Sequence, residues 1–245
     1  MDAANHPVQI KVMKKRAVKV ALHEVLGWDV IGNPTLPRFM PDPANLASYL
    51  NHVYGPQVNV NFEVSPPFVE AGPGDANHDG KLDVTYAADV NAATTNAKVG
   101  ATGSDFNIDV WVVGGVSLRA PTNVYLVYDH LFGITLPNSS TMGRRIIIDG
   151  DMVGFSELPA GRQTHHLHFC IAHEIGHLMT DDVHPGDSGY NSELRWGGKP
   201  DPNLRRRLMC TGSQLDHAHP EVCLIKKEWD RIEAWLHENV DPKLQ

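Results

Sequence analysis

His173, Glu174 and His177 stand in the order His-Glu-Ile-Gly-His. On a helix, histidines four residues apart lie one turn apart on one face, so both imidazoles can bind a single metal ion. Glu174, next to the first histidine, can reach a water on that ion without being a ligand. The chemistry this spacing predicts is metal-assisted hydrolysis. The ion lowers the pKa of its water, Glu174 takes the proton, and the hydroxide attacks a carbonyl polarised by the same ion. Glu174 then returns the proton to the leaving nitrogen.

A helix must present these groups, and residues 164–179 predict one. Leu167, Cys170, Ile171, Ile175 and Leu178 recur at three- and four-residue steps as an apolar stripe, with His173 and His177 off it. Thr164 is the expected N-cap, with Pro159 and Gly161 interrupting structure just upstream. The same stripe predicts a buried thiol for Cys170. His165, His166 and His168 crowd the start of this helix, and His166, two turns before His173, is expected either at the rim of the site or behind its ligands.

Two histidines leave a catalytic ion one protein ligand short, because such sites use three and keep a position for water. The nearest candidate is His184; Asp181 and Asp182 are the alternatives, since carboxylates also bind zinc. Glu193 is a more remote candidate, as a glutamate third ligand. Tyr190 can be read as a donor to the transition state or as loop packing, and His217 and His219 as substrate contacts or exposed residues.

A second ion site is predicted in Asp75-Ala76-Asn77-His78-Asp79-Gly80-Lys81-Leu82-Asp83. Oxygen side chains at alternate positions can converge on calcium because Gly80 permits the sharp turn. Asp75, Asn77, Asp79 and Asp83 would ligate through side chains and Lys81 through its backbone carbonyl. Tyr86 stands where an EF-hand has its bidentate acid, so the loop resembles those of dockerin or thrombospondin-type repeats instead.

The rest of the chain reads as mixed α/β. Strands are expected at 17–26, 58–64, 106–113, 123–129 and 144–149, on alternation and β-branched content. A helix opens at Asp42-Pro43-Ala44-Asn45, carries Leu46, Leu50 and Val53 on its apolar side, and is expected to stop at Gly55-Pro56. His23 and Glu24 are expected on a strand face. The strand at 144–149 either forms a cleft rim that pairs an extended peptide by β-addition or is a core strand. Residues 65–121 look like an insertion. A terminal helix carries Leu224, Ile225, Trp229, Ile232 and Leu236 inward.

Composition limits the alternatives. With 245 residues, 42% hydrophobic and 20% charged, the chain can bury one good core, divided at most into two lobes. A net charge of −8 argues against a nucleic-acid surface, and no apolar run approaches a membrane span. Three cysteines make no disulfide framework, although Cys210 and Cys223 can bridge in an oxidising compartment. Lys11 to Lys19 is basic but is not followed by the apolar stretch of a secretory leader. The calcium loop suits extracellular calcium levels, so the expectation is a secreted protein whose leader is not part of this sequence, with a cytoplasmic location as the alternative.

Taken together, His173-Glu174-x-x-His177, His184, Leu208-Met209-Cys210-Thr211-Gly212 and the terminal helix resemble the metzincin zinc peptidases. Their pattern is H-E-x-x-H-x-x-G-x-x-H, then a methionine turn under the zinc and a C-terminal helix. The resemblance covers residues 17–64 loosely and 123–240 more closely. It implies zinc on His173, His177 and His184, Glu174 as the catalytic acid/base, and Met209 as the methionine of the turn. It also implies one catalytic domain over 1–245, α/β (α+β), with a twisted mixed sheet. Residues 17–179 would form an N-terminal lobe with the sheet and active-site helix, and 180–245 a smaller lobe ending in a helix. Thr180 occupies the place of the family glycine, and His184 falls one residue late. An extra residue within Thr180-Asp181-Asp182 accounts for both if Asp181 or Asp182 takes the left-handed position, which Thr180 could adopt only at about 1 kcal/mol or more. The function implied is a monomeric zinc endopeptidase acting on peptide or protein substrates. The alternatives are a thermolysin-like or non-peptide amide zinc hydrolase, or a catalytically silent calcium-dependent binding module.

Overall fold

The computed structural model describes residues 14–28, 34–70, 76, 81–83, 105–117, 133–136, 145–151, 160–180, 195–196, 199–200, 208–209, 224 and 226–241. Its centre is a mixed sheet. Strand β1 (Arg16–Val25) leads through two two-residue strands, β2 (Gly27–Trp28) and β3 (Pro34–Thr35), to helix α1 (Pro43–Val58). Strands β4 (Val60–Val64) and β5 (Phe68–Glu70) follow, both parallel to β1 along the same edge. They are one strand broken at Ser65-Pro66-Pro67, where prolines cannot donate to a ladder. Ser65 bridges the break: its N–H donates to the Val20 carbonyl, and its hydroxyl accepts from Leu22 N–H at 3.1 Å.

A two-residue strand, β6 (Leu82–Asp83), pairs with β8 (Val116–Ser117). Between them in sequence, β7 (Ile108–Val113) enters the sheet on the other side of β1. Strand β9 (Gly133–Leu136) and strand β10 (Arg145–Asp149) complete the order β4-β1-β7-β10-β9, in which β9 alone runs antiparallel. Helix α2 (Ala160–Thr180), a small hairpin of β11 (Arg195–Trp196) and β12 (Lys199–Pro200), and helix α3 (Lys226–Asn239) follow.

Strand alternation sorts the side chains into two cores. Val18, Val20, Leu22, Phe62, Val110, Val112, Ile146 and Ile148 face all three helices in one cluster. Leu208, Met209, Leu224, Ile232 and Leu236 join that cluster, so residues from both expected lobes share one core. Val25, Trp111, Val113 and Ile147 point the other way and pack with Leu82, Val116 and Leu136. His23 is a buried strand-face residue, as expected, 3.1 Å from Asp109 through its Nε2.

Several expectations need correction. Helix α1 starts as predicted, with Asp42 accepting from Asn45 N–H at 2.9 Å, but continues through Gly55-Pro56. Pro56 costs one hydrogen bond near the helix end, while the extra turn buries Val58, worth about 1.5–3 kcal/mol. Asn59 in the left-handed conformation, φ 53°, then ends the helix, so β4 starts at Val60. Helix α2 begins at Ala160, which puts Gly161 and exposed Thr164 inside it and leaves Thr164 no N-cap role. The strand at 145–149 is interior, paired on both sides, so the rim reading fails for it; β9, which is not among the strands expected from sequence, lies at the sheet's edge. Residues 65–121 are not all insertion, because β7 is the middle strand. The strand expected at 123–129 lies outside the described residues.

Helix α3 is held at both ends. Arg231 Nη1 donates to the Thr180 carbonyl at 3.3 Å, placing a cation at the C-terminus of α2 where the helix dipole favours one. Past its other end, Asp241 accepts from Arg16 Nε at 2.9 Å and Nη2 at 3.0 Å, a bidentate pair, and from Lys14 Nζ at 3.0 Å. Arg16 Nη1 donates to Glu233 at 3.0 Å. The bonds from Arg16 and then Lys14 hold the Asp241 carboxyl well below the usual carboxylate range. A pKa lower in the folded than in the unfolded chain gives stability that is present above the unfolded value and lost as pH falls toward the folded one. Asp241→Asn should therefore lower the melting temperature at neutral pH, and the gap from wild type should narrow steadily as the pH falls below about 4, the ordinary carboxylate value. Thermal melts across that range check it; a gap independent of pH would remove the ion pair as the cause.

Candidate metal centre

Helix α2 is not an ordinary surface helix. Every residue from His166 to Gly176 is buried, and His177 is half-buried. The sheet and β9 pack one side, α1 and α3 the others, so the histidines of the motif project inside the fold rather than into solvent. His173 is 8% exposed and Glu174 7%.

The two imidazoles converge. His173 Nε2 and His177 Nε2 are 3.1 Å apart, with the rings perpendicular at 88°. Two nitrogens each about 2.0–2.1 Å from a tetrahedral ion would lie roughly 3.3 Å apart, so the pair is spaced for a common centre. His173 Nδ1 lies 2.6 Å from the Leu208 carbonyl. A carbonyl only accepts, so Nδ1 carries the proton and Nε2 keeps its lone pair for a ligand. A carboxylate oxygen of Glu174 completes a group whose ligand atoms all lie within 4.8 Å of one another. This is the one such group among the described residues, and it can hold a metal ion.

Glu174 has its own surroundings. Thr135 Oγ1, on β9, is 2.8 Å from both the Glu174 carbonyl oxygen and Glu174 Oε2. Burial pushes the carboxyl up to about 7, against the opposing pull of hydrogen bonds from the Thr135 hydroxyl and the Thr135 backbone. A carboxyl poised near neutrality can accept and return a proton. Strand β9 approaches closely because Gly133 has no side chain: a Cβ there would be 2.9 Å from Glu174 Cγ and 2.9 Å from Ile148 Cδ1.

The floor of the helix is equally tight. Leu208 and Met209 form a turn, both fully buried, and Met209 Sδ occupies the space that a Cβ on Gly176 would need. Tyr54, from α1, donates to the Ala172 carbonyl at 2.6 Å. Three separate segments thus grip one turn of α2.

Of the residues picked out by sequence, His173, Glu174, His177 and Met209 come together here. Of the two places expected for His166, the rim fails: it is buried and stacks on Phe169, which in turn lies 5.9 Å from His173. Cys170 is a buried free thiol, its pKa pushed up by burial. Thr180 is still helical and does not take the left-handed conformation; among the described residues Asn59 is the one non-glycine with positive φ. His184, Asp181, Asp182, Tyr190, Glu193, Cys210, His217, His219 and Cys223 lie outside the described residues, as do Asp75, Asn77 and Asp79. Lys81 is half-buried and Asp83 buried beside β8. Thr135, Gly133, Gly176, Leu208 and Tyr54 were not identified from sequence as parts of the site. Only Gly176, inside the motif, carried a local signal. No described helix is long and apolar enough to cross a membrane.

Two effects oppose at Gly176→Ala. Helix propensity gains up to about 1 kcal/mol, while overpacking a filled core costs about 1–3 kcal/mol. Because Met209 is fully buried, overpacking should win. The variant should be less stable to denaturant and bind metal more weakly in a chelator competition; unchanged midpoint and affinity would show that Met209 has room to move. No protein-family model matches this chain, and no curated protein matches it in sequence.

Proposed function

We propose that this chain is a zinc-dependent endopeptidase, of the kind its metzincin resemblance implies. The observation that carries the reading is the convergence of His173 Nε2 and His177 Nε2 beside a buried Glu174. Two imidazoles with a third nitrogen or oxygen ligand suit zinc among the common divalent ions. Met209 beneath the helix, the antiparallel edge strand above it and α3 beyond it support the reading, since these parts occur in the order the resemblance implies.

His173 and His177 would hold the ion, with His184 as third protein ligand and Asp181 or Asp182 as alternatives. Bound zinc would supply Lewis acidity, acidifying a water and polarising a carbonyl. The chain's own residues do the rest. Glu174 removes the proton from the attacking water and later delivers it to the departing amine nitrogen. Burial keeps bulk water from competing for that proton. The Leu208 carbonyl fixes His173 in the tautomer that leaves Nε2 free. Strand β9, with β10 as its one partner among the described residues, offers its outer edge to an extended substrate by β-addition. Calcium on Asp75, Asn77, Asp79, Asp83 and the Lys81 carbonyl belongs to the same proposal, as does export to a compartment with millimolar calcium.

Glu174→Gln should keep its metal and lose nearly all turnover of a fluorescence-quenched peptide library, whereas His173→Ala should lose the metal itself. Metal analysis beside the peptide assay, with and without chelator, reads both; near-normal turnover by Glu174→Gln excludes the assigned role. Substituting His184 and Asp182 separately identifies the third ligand. The variant whose metal affinity falls by orders of magnitude is the ligand, and if neither loses affinity both assignments fail.

A further inference from the structure

Strand β9 does more than border the site. Gly133 and Thr135 are alternate residues, so both face α2, while Leu136 turns into the opposite core with Ile134 packed against it. The two that face α2 touch the same side chain. Gly133 brings the strand backbone against Glu174 Cγ, and Thr135 sets its hydroxyl 2.8 Å from Glu174 Oε2. The same hydroxyl lies 2.8 Å from the Glu174 carbonyl oxygen, so it spans the residue from main chain to carboxyl.

We propose that Thr135 is a positioning residue that fixes the rotamer of Glu174 and so holds its carboxyl beside the two histidines. The inference rests on the peptidase reading for its consequence, but not for its geometry. A glutamate has three rotatable side-chain bonds, and apolar packing alone leaves the last of them broad. At Gly133 the strand backbone closes on Cγ and on Oε1, 2.9 Å and 3.2 Å from where a Cβ would stand, and Thr135 ties down Oε2, so the carboxyl is held from two positions on one strand. A hydroxyl suits this place because it can donate to either of the two acceptors within its reach, the Glu174 carboxylate and the Glu174 carbonyl. A valine has the same shape and offers neither interaction.

The test uses Thr135→Val and Thr135→Ser. The first readout is the infrared carboxyl band of Glu174 in metal-free protein, isolated as the difference between wild type and Glu174→Gln. Thr135→Val should move that band and Thr135→Ser should restore it, with both variants melting close to wild type. In the zinc-loaded enzyme, Thr135→Val should lower kcat about tenfold or more, part of the 10²–10⁴ that acid–base catalysis contributes, with KM little changed. Thr135→Ser should recover most of that loss. An unmoved band, or a kcat equal to wild type in an active enzyme, overturns the positioning role. A shifted band in a protein that cleaves no peptide upholds the contact and sinks the peptidase reading alone.

Discussion

The hydrogen bond from His173 Nδ1 to the Leu208 carbonyl is the constraint on which the centre depends. It joins the middle of α2 to a turn 35 residues downstream and decides which ring nitrogen is free. Without it, His173 could rotate or adopt the other tautomer, and His177 alone would hold a metal poorly. Met209, the next residue, fills the gap left by Gly176 and stops the turn from drifting. A protonation state is thus enforced by packing: the apolar contact holds the backbone, the backbone carbonyl orients the imidazole, and the imidazole presents its lone pair.

Surrounding parts serve that arrangement by removing freedom from α2. Tyr54 ties it to α1 from above in sequence, Arg231 caps its end from α3, and β9 presses on Glu174 from the sheet. Each contact comes from a different element, and together they bury the stretch from His166 to Gly176. That burial has an electrostatic effect as well. A carboxyl on a surface helix would be a weak base, whereas removal from water raises the proton affinity of Glu174 toward neutrality.

How much of this was readable in the sequence depended on distance along the chain. His173, Glu174 and His177 lie within one turn and a half of helix, so spacing alone put them on the same side. Their convergence to 3.1 Å followed from helix geometry plus burial. Thr135 was invisible, because its meaning arises from a contact across 39 residues and its strand is only four residues long. Gly133 reads as an ordinary small residue until the elements meet. The continuation of α1 through Pro56 was missed for a related reason. Local rules end the helix at that proline, while the reward for one more turn, the burial of Val58, is tertiary. Thr164 fails as a cap because the helix starts at Ala160, about two turns before the first residue of its apolar stripe.

The contact of Arg16 and Lys14 with Asp241 has an architectural consequence. It joins positions 225 and 227 residues apart, so the first strand and the last helix close the fold into a ring. The cost of closing a loop grows only with the logarithm of its length, so a few charged bonds suffice to hold even one this large. Any domain attached before β1 or after α3 would emerge from a single flank, and a short tether could join the two ends while the chain was opened at another exposed site.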